Sequence, residues 1–247
     1  SVQDIFGAGV DSTANSATFL GYAPPATVEI NEFNANLNPA TGQYCDLVEL
    51  RVTDGGSMTG FTLRERGDTV LTFQGLHVQT GDFVVVHFDD ADCNASGSTN
   101  ETAAVDEQPN SSHSQNYDTA YDWYSSENNL TETDGTLEIQ DASGTIQDAI
   151  VYDDASDCST ASVASASESA VEPIINAGEW VASDGSTLSP PLEDTAFCNA
   201  AITATTDSDD ADPAGNSFQR VDTTDDNNVT DWDGTSASTF GALNPSQ

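Results

Sequence analysis

The chain contains no lysine, and its 247 residues include only four arginines, Arg51, Arg64, Arg66 and Arg220, against 42 acids. The formal net charge is −38. Without lysine, a phosphate loop ending in Gly-Lys-Ser/Thr cannot form, and Schiff-base chemistry on an enzyme lysine is excluded. Intramolecular Lys–Asn staples are excluded for the same reason. A basic stripe is also missing, which argues against nucleic acid as a partner, because such binding neutralises phosphates. No run approaches the roughly 20 apolar residues of a membrane span. No window keeps a helical period for long, and no cysteine sits in a CxxC pair, the arrangement that would suggest zinc.

What is abundant is acid, Ser, Thr and Ala. In dilute buffer a charge of −38 repels itself and weakens a compact state. In molar salt the Debye length falls to about 3 Å and the repulsion is largely screened. The composition therefore resembles that of proteins from extreme halophiles. The alternative, an acidic disordered chain, is disfavoured because the acids are scattered between apolar strand-like runs.

The four cysteines, Cys45, Cys93, Cys158 and Cys198, allow three pairings. Their order favours Cys45–Cys93 and Cys158–Cys198, each stapling one half. Asn-x-Ser/Thr sequons begin at Asn94, Asn100, Asn110, Asn129 and Asn228. Paired cysteines and sequons together point outside the cell, with N-linked glycans as partners. The chain opens at Ser1 without a basic, apolar leader, so a secretory signal is expected to have been removed already.

Strand patterns recur along the chain. Residues 27–33 alternate, with Val28, Ile30 or Phe33 placed to face a core, and residues 47–52 form a second strand. Residues 61–64 and 69–73 read as a hairpin around Arg66-Gly67-Asp68. The strongest strand is 82–88, a nearly continuous apolar run of the kind buried on both faces. Residues 137–140 and 147–152 flank the turn Asp141-Ala142-Ser143-Gly144. Short strands separated by turn signals indicate an all-β sandwich.

Three stretches interrupt the pattern. Residues 92–133 read as a long polar loop with a short helical or aromatic patch at Tyr121-Asp122-Trp123-Tyr124. Residues 154–214 read as a second insertion with one strand candidate at Glu179-Trp180-Val181-Ala182. Residues 1–27 form an N-terminal extension carrying apolar side chains at Val2, Ile5, Phe6, Val10, Phe19 and Leu20, a candidate donor strand for a neighbouring subunit. The sandwich itself is expected over 28–247.

Val28-Glu29-Ile30-Asn31-Glu32-Phe33 followed by Asp46-Leu47-Val48-Glu49-Leu50 resembles the opening of a lamin-tail domain. Gly60-Phe61-Thr62-Leu63-Arg64 is similar to that family's Gly-Trp-x-Leu step, with Phe61 in place of Trp. Gly81-Asp82-Phe83-Val84-Val85-Val86, the 137–152 hairpin and the closing Ser217-Phe218-Gln219-Arg220, Asp231-Trp232 and Leu243-Asn244-Pro245 follow in the family's order. The resemblance implies an immunoglobulin-like β-sandwich, and it brings no catalytic residues with it. The two long insertions have no counterpart in the family core.

Catalytic constellations do not assemble. Gly55-Gly56-Ser57-Met58-Thr59 misses the last glycine of a nucleophile elbow. His77, His87 and His113 stand in unrelated contexts, with His87 expected at a strand rim. A glycosidase carboxylate pair cannot be singled out among 42 acids. The expectation is a non-enzyme with no required cofactor. Calcium or another cation has candidate ligands in Asp89, Asp90 and Asp92 and in Asp231 and Asp233, although none matches an EF-hand. The alternative for both clusters is a solvated acidic surface.

These readings converge on a secreted haloarchaeal surface protein, a homo-oligomer or polymer joined by strand exchange through residues 1–27. The first alternative is a monomeric binding module for glycan or protein, with Tyr117, Tyr121, Trp123 and Tyr124 as its contact patch. The second is an accessory domain of a secreted enzyme.

Overall fold

The apolar alternation over Val28 and Ile30 slips by one position before Phe33. The computed structural model, which describes residues 23–35, 46–88, 99–102, 117–127, 129–155, 157–203, 217–234, 236–245 and 247, shows why. Strand β1 (Thr27–Asn34) runs antiparallel to β2 (Leu47–Asp54), with Ile30 opposite Leu50 and Glu32 opposite Glu49. Asn31 is the extra residue of a β-bulge. Ile30 and Phe33 therefore both enter the core, while Asn31 and Glu32 both turn to the other face.

The other strands are β3 (Gly56–Ser57), β4 (Thr62–Glu65), β5 (Asp68–Thr72), β6 (His77–Val78), β7 (Phe83–His87), β8 (Tyr121–Tyr124), β9 (Asp134–Gln140), β10 (Ile146–Asp153), β11 (Ile202–Thr203), β12 (Phe218–Arg220) and β13 (Trp232–Asp233). They form a six-stranded sheet ordered β13-β12-β1-β2-β7-β8 and a five-stranded sheet ordered β11-β10-β9-β4-β5, with β3 and β6 as a separate ribbon. All pairings are antiparallel except β7–β8 and β10–β11. The two sheets face each other across Val28, Ile30, Phe33, Val48, Leu50, Leu63, Val84, Val86, Ile139 and Ile150, so the protein is an all-β sandwich. Pro24 and Ala26 of the N-terminal extension already pair with Ser57, so the sandwich begins a few residues before β1.

Two sequence expectations change here. Residues 121–124 are neither helix nor free patch but the edge strand β8, lying parallel to β7 with Val86 opposite Trp123. The alternation Tyr121-Trp123 against Asp122-Tyr124 is short, and an aromatic-rich run of this length reads equally as strand or helix. The 154–214 stretch is likewise not a loop with one strand. It carries helix α1 (Ser165–Ala177), helix α2 (Asp194–Ala200) and β11, while Glu179–Ala182 is not a strand. In α1 the buried positions Ser167, Ala170, Val171, Ile174 and Ile175 do follow a helical stripe. Serine density and Pro173 hide it, since proline lacks the N–H an interior helical position donates. Gly178, at φ +86°, ends the helix: its N–H reaches Ile175 O and that of Glu179 reaches Ile174 O, a Schellman closure.

The helices pack on β9 and β10. Asp194 Oδ1 accepts from the Val163 amide ahead of α1, and Glu168 Oε1 accepts from the Asp194 amide at the start of α2. Trp180 is buried and donates its Nε1–H to Ala200 O, closing the layer. Cys158 and Cys198 are joined by a disulfide across a sequence separation of 40. Replacing both with serine is expected to lower stability by about 2–4 kcal/mol, because the cross-link restricts the unfolded chain. A denaturant midpoint unchanged by that replacement would contradict this role.

Candidate functional site

Three buried polar clusters organise the sandwich. The first lies between the sheets. Arg220 on β12 is 1% exposed, and its Nη2 is 2.7 Å from Asp148 Oδ2 on β10. Its Nε–H donates to Ile30 O, its Nη1 pairs with Asp225 at 2.9 Å, and its guanidinium sits 5.0 Å from the Trp232 ring. The Ile30 amide also donates to Asp148 Oδ2, at 2.6 Å. Burial pushes the Asp148 carboxyl up to about 7, against the opposing pull of Arg220. The charges around Arg220, Asp148 foremost, hold its guanidinium protonated despite burial. Burial also raises Glu29, which pairs with Arg51 at 2.8 Å.

The second cluster lies on the outer face of the six-stranded sheet, beneath the C-terminal segment. Glu32 and Glu49 face each other across β1 and β2, and both are fully buried. Glu32 accepts from Ser217 Oγ, from the Thr239 amide at 2.8 Å and from Thr239 Oγ1 at 3.0 Å. Glu49 accepts from Asn31 Nδ2 at 2.7 Å and from the Gly241 amide. Asn244 ties the segment down, donating from Nδ2 to Asn31 O and Arg220 O. Beside these carboxylates an apolar patch of Leu47, Phe83, Val85 and Ala120 is capped by Phe240 and Tyr117. Burial raises both carboxyls, and the charge of Glu32 raises Glu49 further.

The third cluster corrects the expectation for His87. It does not face a rim: His87 is 1% exposed and its Nε2 is bonded to Asp122 Oδ1 on β8. Asp122 also accepts from the Tyr117 amide, and its own amide donates to Glu101. The proposed aromatic contact patch is taken apart by the same packing. Trp123 lies in the core 5.0 Å from the Phe73 ring, and Tyr124 stacks on His87.

The remaining predicted residues fall as follows. Asp231 caps the short turn Val229–Asp231 and lies 3.9 Å from Arg220, and Asp233 accepts from Ser236 Oγ. Among the described residues no group of three His, Cys, Asp or Glu is arranged to hold a metal. Asn100 and Asn129 are exposed. Asn228 is buried, with Nδ2 donating to Asp226 O and Oδ1 accepting from Thr230, so the folded chain does not present that amide. Asp89, Asp90, Asp92, Cys45, Cys93, Asn94, Asn110, Val2, Ile5, Phe6, Val10, Phe19 and Leu20 lie outside the described residues.

Sheet edges differ in how they are covered. Residues 100–101 close the outer side of β8, where the Glu101 amide donates to Asp122 O and the Tyr124 amide to Asn100 Oδ1. At the opposite end of the other sheet, β5 pairs among the described residues with β4 alone, and Ser125 Oγ reaches Val70 O from the side. Among the described residues β5 is the longest terminal strand with its outer backbone not covered by another segment's amides.

Fold and faces define a disulfide-stapled, all-β sandwich with a helical layer, in which no described helix is long and apolar enough to cross a membrane. A family model described as protein second domain matches residues 26–233, and the chain belongs to that family. The matched span begins one residue before β1 and ends with β13. No curated protein matches the chain.

Proposed function

We propose that this protein is a secreted, salt-adapted surface subunit that self-assembles by adding the N-terminal segment of one copy to the β5 edge of the next. The outer side of β5 carries the reading: among the described residues it pairs with no further strand and meets only Ser125 Oγ at Val70 O, and such an edge is a ready template for another strand. A head-to-tail contact of this kind propagates into a filament or sheet when it does not close. Molar salt favours it twice, screening repulsion between copies of charge −38 and strengthening apolar burial. The disulfide supports an oxidising compartment. We read the sandwich as lamin-tail-like, since the segments carrying that resemblance fall on β1, β2, β4, β7, β9, β10, β12 and β13. Exposed Asn100 and Asn129 suit N-glycans, and surface carboxylates suit solvent cations. No catalytic role is assigned to the buried clusters.

Deleting residues 1–22 tests the reading. In molar salt the full chain is expected to scatter light as a polymer and the truncated chain to remain monomeric. A synthetic peptide of residues 1–22 is expected to cap the full chain and shorten its polymers. A truncated chain that assembles as well as the full one would overturn the donor-strand mechanism.

A further inference from the structure

Among the described residues no arginine pairs with Glu32 or Glu49. Every arginine in a described ion pair is paired elsewhere: Arg51 with Glu29, Arg64 with Glu138, Arg66 with Asp134, and Arg220 with Asp148 and Asp225. What meets the two carboxyls is a set of neutral donors, half of them from the C-terminal segment: the Thr239 amide and hydroxyl and the Gly241 amide. The other neighbours are Ser217 and Gln219 on the β12 side, Asn31 from the bulge, and Tyr117 with the His87–Asp122 pair from the β7–β8 side. Tyr117 adds no charge, because burial first, then the charges of Glu32, Asp122 and Glu49, keep its hydroxyl protonated. Only the backbone carbonyl of Arg220 reaches this face.

Two carboxyls on facing residues, both out of water and without a described arginine partner, cannot both ionise cheaply. Glu32, with three close donors, is the better-stabilised anion. Glu49, with two close donors and repelled by Glu32, is the group that keeps a proton.

We propose that residues 239–244 form a proton-dependent latch, closed on the outer face of the six-stranded sheet while the Glu32–Glu49 pair holds a proton and released when both carboxyls ionise. Release returns the two carboxylates to water and uncovers Leu47, Phe83, Val85 and Ala120, which Phe240 otherwise caps. Linkage fixes the direction. The closed state binds a proton that the open, solvated state gives up at ordinary carboxyl pH, so closure weakens as pH rises.

Hydrogen exchange of the full chain in molar salt tests this, with rates expressed relative to the intrinsic rate at each pH. Protection across residues 239–244 is expected to fall about tenfold or more from about pH 5 to pH 9, a tenfold change being about one pH unit of linkage. Protection in β9 and β10 is expected to follow the global stability of the chain at each pH, whereas the latch is expected to exchange faster than that limit and to lose protection with a pH profile of its own. In Glu49→Gln the latch is expected to stay protected throughout, because the glutamine carries no ionisable proton yet still offers Gly241 an acceptor. A flat wild-type profile would overturn the proposal, as would loss of latch and β9–β10 protection in step. A Glu49→Gln profile that follows the wild type would overturn it too. Should that variant not fold, the wild-type comparison of latch against β9–β10 decides the matter alone.

Discussion

Arg220→Ala is expected to destabilise the protein by about 3–5 kcal/mol, the cost of removing one partner from a buried ion pair. The loss is that large because Arg220 is doing several things at once. It neutralises Asp148 on the opposite sheet, bonds Ile30 O beside the bulge, and stacks on Trp232. Removing it strands a buried Asp148 carboxylate with only the Ile30 and Ala149 amides for compensation. Burial already lifts that carboxyl to about 7 with Arg220 in place, and its absence lifts it further. The deficit is therefore expected to shrink at about pH 5, where Asp148 takes up a proton, and to be largest near pH 8. Denaturant midpoints at the two pH values measure this. A small loss, or one that does not change with pH, would show that the sheets are held together without this pair.

Wild-type stability in molar salt is expected to fall as pH rises from about 5 to 9, with Asp46 responsible for much of the slope. Asp46 is buried, and only its Oδ2 has a partner, the Leu130 amide at 2.6 Å. Burial, followed by the charges of Glu132 and Glu65, raises its carboxyl to about 8 against that one hydrogen bond. A carboxyl whose folded value is raised adds stability below its unfolded value, and this is lost as pH climbs through the folded value. Over the three pH units from 5 to about 8, at roughly 1.4 kcal/mol per unit, the loss is about 4 kcal/mol. Asp46→Asn removes the titration, so it is expected to flatten the profile and to be the more stable chain at pH 9. Salt separates this from surface repulsion, which molar salt screens and burial does not. Parallel profiles for the two chains would rule Asp46 out as the cause.

Where side-chain period is strong and local, the sequence is legible. Residues 82–88 read as a buried strand because four apolar residues stand together, and β7 lies at Phe83–His87 between two neighbours. The hairpin of β4 and β5 was visible in Arg66-Gly67-Asp68, since Gly67 takes φ +82° at no steric cost. The slip from Ile30 to Phe33 was itself the trace of a bulge. Read that way, it would have placed Glu32 beside Glu49, itself flanked by Val48 and Leu50.

Other features depend on contacts between distant segments. His87 looked like a rim residue because the strand that buries it, β8, arrives from a polar insertion more than 30 positions away. The partnership of Arg220 with Asp148 spans 72 positions, and nothing near either residue announces it. In a chain with 42 acids, burial rather than residue type distinguishes the few carboxyls that matter, and burial belongs to the assembled sandwich.

Electron microscopy of this chain in molar salt tests self-assembly most directly. Filaments or sheets built by a repeating head-to-tail contact at the β5 edge are the predicted result. A uniform population of single particles of 25.8 kDa under the same conditions would contradict the claim.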